Sequence, residues 1–112
     1  MEEELLKSGE RINQLFSTDI KIIQNKEVFS YSVDSVLLSR FPRFPNNGLI
    51  VDFCAGNGAV GLFASSRTKA KILSVEIQER LADMAERSVR LNGLEEQMQV
   101  ICDDLKNMPT YI

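Results

Sequence analysis

Apolar and polar positions divide the chain into alternating segments. Leu49–Phe53 is a short apolar run that reads as a strand suited to burial on both faces. It leads through the small residues Cys54-Ala55-Gly56-Asn57-Gly58 into a helical pattern over about 58–66, with Val60, Phe63 and Ala64 on one face. Lys71–Glu76, with Ile72, Leu73 and Val75, predicts a second strand. Residues 78–91 have the clearest helical period: Leu81, Met84, Ala85 and Ser88 stand at i, i+3, i+4 and i+7. Asn92-Gly93 predicts a left-handed stop, and Met98–Cys102 a third strand. The order β-α-β-α-β predicts an α/β fold with a parallel sheet and right-handed crossovers.

The upstream part has a different rhythm. Residues 2–7 read as a turn of helix that Ser8-Gly9 interrupts, and 10–16 read as its resumption, with Ile12, Leu15 and Phe16 on one side. Ile20, Ile22 and Ile23 favour an extended segment over 19–24. With a turn at Asn25-Lys26 and extended residues 28–31 they predict a β-hairpin. Ser32 suits the cap of a helix over 33–41 that Pro42 ends, and Pro45-Asn46-Asn47-Gly48 turns the chain into Leu49. Residues 1–48 are therefore expected to form a helix, a hairpin and a covering helix. Residues 49–112 are expected to form the first part of a Rossmann-like domain.

Composition narrows the choice. A chain of 112 residues is one domain with a modest core. A net charge of −3 gives no whole-chain signal for nucleic acid, though a local patch would suffice for RNA. The acidic start Met1-Glu2-Glu3-Glu4 is unlike a signal peptide, and no apolar run approaches a membrane span. A cytoplasmic location without a membrane partner is expected. Cys54 and Cys102 lack metal-ligand spacing and no histidine accompanies them, so buried, reduced thiols and no metal site are expected.

The candidate chemistry lies at the C-terminal ends of the three strands, where open α/β sheets bind ligands. Each strand ends in an acid: Asp52, Glu76 and the pair Asp103-Asp104. Gly56-Asn57-Gly58-Ala59-Val60-Gly61 matches the dinucleotide pattern G-x-G-x-x-G, and Glu76 follows where a ribose-binding acid stands. A nicotinamide or flavin dinucleotide and S-adenosylmethionine both remain candidates. Asp52 discriminates, because a carboxylate beside the glycine turn repels a pyrophosphate by roughly 4 kcal/mol per unit charge at 4 Å. The same carboxylate attracts the ammonium and sulfonium of S-adenosylmethionine.

The segment Val51-Asp52-Phe53-Cys54-Ala55-Gly56-Asn57-Gly58 resembles motif I of class I S-adenosylmethionine-dependent methyltransferases. Ser74-Val75-Glu76-Ile77 resembles their motif II, and Asp104-Leu105 their adenine-contacting acid. Gly9-Glu10-Arg11-Ile12-Asn13, Ile22-Ile23-Gln24 and Tyr31-Ser32-Val33-Asp34-Ser35-Val36-Leu37-Leu38 resemble the bacterial tRNA(Val) adenine-N6 methyltransferases. The resemblance implies S-adenosylmethionine as cofactor and tRNA as partner. Asp52, Ala55, Gly56, Asn57 and Gly58 would cradle the amino-acid end and sulfonium. Glu76 would bind the ribose hydroxyls, Ile77 would pack on adenine, and Asp104, more than Asp103, would accept from the adenine amino group. Tyr31 and Asp34 would lie near the methionine end.

The chain departs from that family in lacking Asn-Pro-Pro-Tyr, the motif that holds the target amine; Pro109 is followed by Thr110-Tyr111. No catalytic residue is assigned. The expectation is an N-terminal half-domain whose acceptor half is absent and which is inactive alone. Leu49–Phe53, central in that family's sheet, would be an edge, so a homodimer, a swapped assembly or cover by the hairpin is expected. A protein-glutamine or rRNA methyltransferase half, a dinucleotide oxidoreductase and a non-catalytic binding module remain alternatives.

Overall fold

The computed structural model describes residues 2–14, 19–25, 47–53, 55–104 and 106–107. A short 3-10 turn, Glu2–Leu5, leads into β1 (Glu10–Gln14) and β2 (Lys21–Asn25), which pair antiparallel with Ile12 opposite Ile23. The strands β3 (Leu49–Phe53), β4 (Lys71–Glu76) and β5 (Met98–Cys102) form a parallel sheet in the order β3-β4-β5. The helix α1 (Ala59–Ser65) joins β3 to β4, and α2 (Glu79–Leu91) joins β4 to β5. The expected α/β order of residues 49–102 is observed.

The two helices cover one face of the sheet. Ile72 and Met98 meet Ala59, Leu62, Phe63 and Val89 there, with Ile50 and Val100 at the margin. Burial of α1 is wider than the face of Val60, Phe63 and Ala64: Leu62 is wholly buried and Val60 only partly, because Ile22 of the hairpin joins the same cluster. Gly61 permits close approach, since a Cβ there would fall 2.9 Å from Ser74 Oγ on β4. The helix α2 stops as its sequence suggests. Gly93 is left-handed (φ 66), its N–H donates to Arg90 O and the Leu94 N–H to Val89 O, the paired bonds of a Schellman cap.

Three expectations about the elements need correction. Residues 10–14 form a strand, not a helix, and they are the partner of Lys21–Asn25. The ladder with Lys21–Asn25 makes these residues a strand, and a remote helix anchors its first residue. The Glu10 carboxylate is clasped by the Arg87 guanidinium of α2, with side chains only 4% and 5% exposed. Arg87 also donates to Leu5 O (2.7 Å), and its Nε–H donates to Asp83 (3.1 Å). Secondly, the partner of Lys21–Asn25 among the described residues is β1, which gives a hairpin in a sheet of its own whose strand β2 packs on α2. Thirdly, β3 is not buried on both faces: Leu49 and Phe53 are 48% and 54% exposed because the strand lies at the sheet edge among the described residues. The segments 28–31 and 33–41, the second hairpin arm and covering helix, lie outside the described residues, as do Tyr31 and Asp34.

The clasp carries a stability prediction. The hydrogen bond from Arg87, outweighing burial, holds the Glu10 carboxyl below its usual range. Removing one partner leaves a buried charge alone. Arg87→Met should therefore cost about 3–5 kcal/mol in urea unfolding. Lys7→Ala, which breaks only the exposed 2.8 Å pair with Asp83, should cost under about 1 kcal/mol. Equal losses for the two variants would contradict the burial argument.

Candidate functional site

The loop after β3 crosses the end of β4. Ala55 N–H donates to Val75 O (2.9 Å), and Gly58 N–H closes the turn onto Ala55 O (3.0 Å). Gly56 (φ 59) and Gly58 (φ 91) adopt left-handed conformations that side-chain-bearing residues resist. Residues 55–58 are all buried.

Glu76 is the tie beneath this turn. It is 6% exposed, its Oε1 accepts from Gly56 N–H at 2.8 Å, and its Oε2 accepts from Gln78 N–H at 2.9 Å. The carboxylate thus joins the glycine turn, the end of β4 and the start of α2, so it shapes the site as well as being a candidate acceptor for hydroxyls. Ile77, next in the chain, is 62% exposed, an apolar side chain left open at the strand end.

Asp52 occupies the end of β3, beside Ser74 in the register of the parallel pair. Its Oδ2 is buried and has no hydrogen-bond partner. Burial first, and the charge of Glu76 second, push its carboxyl from 3.8 up to about 6. Asn57 Oδ1 and Ser74 Oγ are also buried without partners, so three orphaned oxygens lie on the strand ends and turn. Sequence reading missed Ser74 as a member of this set; its place opposite Asp52 on the next strand was the available signal.

Asn57 is wholly buried, and its Nδ2–H donates inward to Ile23 O of β2 (3.3 Å). Beyond β5, Asp103 Oδ1 accepts from Asp104 N–H (2.7 Å) and Asn107 Nδ2–H (2.8 Å), and Asp104 Oδ1 accepts from Lys106 N–H (3.1 Å). Both acids shape the turn after β5. The structure thus brings Asp52, Ala55, Gly56, Asn57, Gly58, Glu76 and Ile77 to adjoining strand ends, with Asp103 and Asp104 after the third. Cys102 corrects another expectation: it is exposed at the end of β5, and slight desolvation together with the nearby carboxylates of Glu79, Glu76 and Asp103 raises its thiol pKa. Cys54 lies outside the described residues. Among the described residues no acidic, cysteine or histidine cluster suits a metal, and no helix is long and apolar enough to cross a membrane.

Residues 19–110 match the family model described as the methyltransferase small domain. The chain belongs to the methyltransferase small domain family. The domain is 29% identical over 75 residues to the tRNA1(Val) (adenine(37)-N6)-methyltransferase of Shewanella halifaxensis (strain HAW-EB4), covering 67% of this chain and 30% of the relative. It spans about a third of the length of the curated relatives it matches, 30% and 35%. Pyrococcus horikoshii TYW2, solved in complex with MeSAdo, has the same fold at a TM-score of 0.74 and 19% identity, over 90% of this chain and 38% of that one. The Pyrococcus abyssi tRNA (uracil-54, C5)-methyltransferase, solved with S-adenosyl-L-homocysteine, superposes at 0.67 with 16% identity, over 88% and 25%. The fold is thus the Rossmann-like fold of class I methyltransferases.

Asp52 sets a pH dependence of the methyltransferase small domain. Unfolded, its carboxyl titrates near 3.8; folded, near 6. Between these values the folded state binds more protons. Stability should therefore fall as pH rises through the window, by at most about 3 kcal/mol at 1.36 kcal/mol per pKa unit. Urea titrations at about pH 5 and about pH 7.5 should show this slope in the wild type and a weaker one in Asp52→Asn. An identical pH slope in the variant would remove Asp52 as its source.

Proposed function

We propose that this chain is the S-adenosylmethionine-binding portion of an adenine-N6 methyltransferase acting on tRNA. The observation that carries the reading is the buried, unpartnered Oδ2 of Asp52 on the strand beside Glu76 and below the glycine turn. A carboxylate there attracts a ligand ammonium and repels a pyrophosphate. The same observation disfavours the dinucleotide reading despite the G-x-G-x-x-G match. The fit with S-adenosylmethionine extends along the strand ends. Asp52 and the turn residues Ala55, Gly56, Asn57 and Gly58 would hold the amino-acid end and sulfonium. Glu76 would accept from ribose hydroxyls, Ile77 would pack on the adenine face, and Asp104 with Asp103 would take its amino group. Tyr31 and Asp34 would complete the methionine end.

The bound cofactor would supply an activated methyl group. Alignment of that methyl with an exocyclic amine is the part of catalysis that positioning and electrostatics provide. The adenine-N6 and tRNA parts of the reading are supported by the two curated tRNA1(Val) (adenine(37)-N6)-methyltransferase relatives and by the resemblance of residues 9–38. Residues 1–112 contain no Asn-Pro-Pro-Tyr, and we propose that they bind cofactor without transferring its methyl group. The β3 edge, unpaired among the described residues, is proposed to pair with a second copy of the chain, which sedimentation would reveal as a dimer.

Calorimetry against S-adenosylhomocysteine and the nicotinamide dinucleotides tests the ligand class. S-adenosylhomocysteine should bind and the dinucleotides should not. Glu76→Gln, which retains an oxygen for Gly56 N–H, should weaken binding about tenfold, the equivalent of 1.4 kcal/mol. Tighter binding of a dinucleotide would reverse the assignment. With tritiated S-adenosylmethionine and unmodified bulk tRNA, residues 1–112 should incorporate no label. Incorporation abolished by Asp52→Ala would show that transfer needs nothing more.

A further inference from the structure

The strand β2 is bound by side chains on the edge that β1 does not use. Lys21 N–H donates to Asn92 Oδ1 (2.8 Å), and Lys21 O accepts from Asn92 Nδ2–H (2.6 Å). Ile23 N–H donates to Ser88 Oγ (2.9 Å). These three bonds come from α2 and its C-terminal cap. The fourth comes from elsewhere: Ile23 O accepts from Asn57 Nδ2–H, in the middle of the glycine turn. One residue of β2 is therefore bonded through its N–H to the helix and through its carbonyl to the turn.

The orientation of Asn57 is determined by this bond. Its side chain is wholly buried and its Oδ1 has no partner, while reversing the amide would set oxygen against Ile23 O. The turn it belongs to contains two left-handed glycines and belongs to neither a helix nor a strand. Glu76 holds it from the sheet side through Gly56 N–H, and Asn57 holds it from the hairpin side. A turn fixed at both sides presents its backbone to a ligand in one arrangement; released on the hairpin side, it would have to be ordered by the ligand itself.

We infer that Asn57 is a positioning residue that couples docking of the hairpin on α2 to the conformation of the glycine turn. Ligand bound at the turn and β2 bound to the helix then strengthen each other by the same factor, as linkage requires. The inference rests on the cofactor reading above and adds a role for the hairpin, which sits behind the turn and holds it.

Amide hydrogen exchange with and without S-adenosylhomocysteine, together with calorimetry, tests it on the full chain. In the wild type the ligand should slow exchange of the Gly56 and Gly58 amides and, by about fivefold or more, those of Lys21–Asn25. In Asn57→Ala it should slow only the turn amides. Asn92→Ala, which loosens β2 away from the turn, should weaken the ligand about fivefold in the wild-type background and not further in Asn57→Ala. An Asn57 that merely stabilised the fold would lower Tm without changing where the ligand protects. Should Asn57→Ala not fold, Asn57→Ser takes its place, keeping a small polar group too short for Ile23 O. Protection of the turn without protection of β2, or equal effects of Asn92→Ala in both backgrounds, would overturn the coupling while leaving the cofactor reading intact. Absence of both binding heat and turn protection would overturn the two together.

Discussion

The arrangement depends on the buried carboxylate of Glu76. A charged group at 6% exposure is tolerated where it is hydrogen-bonded, and here backbone N–H groups on either side of the strand end supply the partners. The bond to Gly56 sets the glycine turn over the sheet, and the bond to Gln78 sets the first turn of α2. From α2 the influence runs onward, because the helix carries Arg87, Ser88 and the cap residue Asn92, which seat the hairpin. Removing the carboxylate outright would strand the Gly56 N–H in a buried turn, an expense of about 1–3 kcal/mol before any ligand is considered. A strand-end acid expected to bind ribose hydroxyls is therefore also part of the framework.

The neighbouring acid shows the opposite state. Asp52 shares the strand ends with Glu76, yet its inner oxygen has no partner and its carboxyl is displaced upward to about 6. Glu76 is one cause of that displacement. Two carboxylates of unequal satisfaction, side by side, leave one committed to the protein backbone and one with an unmet demand for a positive group. On the proposed reading, this contrast, more than the glycine pattern, is what would favour a cationic ligand over a pyrophosphate.

How much of this was legible in the sequence varied with the distance over which the deciding contacts act. The strands Lys71–Glu76 and Met98–Cys102 and the helix between them follow from local periodicity, and their observed bounds agree with the pattern to within a residue. Placing three acids at strand ends needed only that register. The polar segment Glu-Arg-Ile-Asn-Gln at 10–14 carries no period-2 apolar signal, and its strand state comes from tertiary contacts: the ladder with Lys21–Asn25 and the Arg87 clasp on Glu10. The tie from Asn57 to Ile23 was equally hidden, since a side chain bonding a backbone carbonyl leaves no pattern at either residue. Asn92 carries two signals at once: next to Gly93 it reads as a helix stop, while its carboxamide grips both backbone groups of Lys21.

The docking of β2 on α2 has a consequence during synthesis. Ile22 and Ile23, both wholly buried in the finished fold, emerge from the ribosome before the helix that covers them. Ser88, which receives the Ile23 amide, follows 65 residues later. At about 5–20 residues per second, the hairpin waits for roughly 3 to 13 s with two isoleucines and an unpaired strand edge uncovered. Its polar partner strand, bearing Glu10, Arg11 and Asn13, limits the apolar surface shown to other nascent chains over that interval. The residues that make this strand hard to recognise are thus the polar neighbours that Ile22 and Ile23 have before α2 is made.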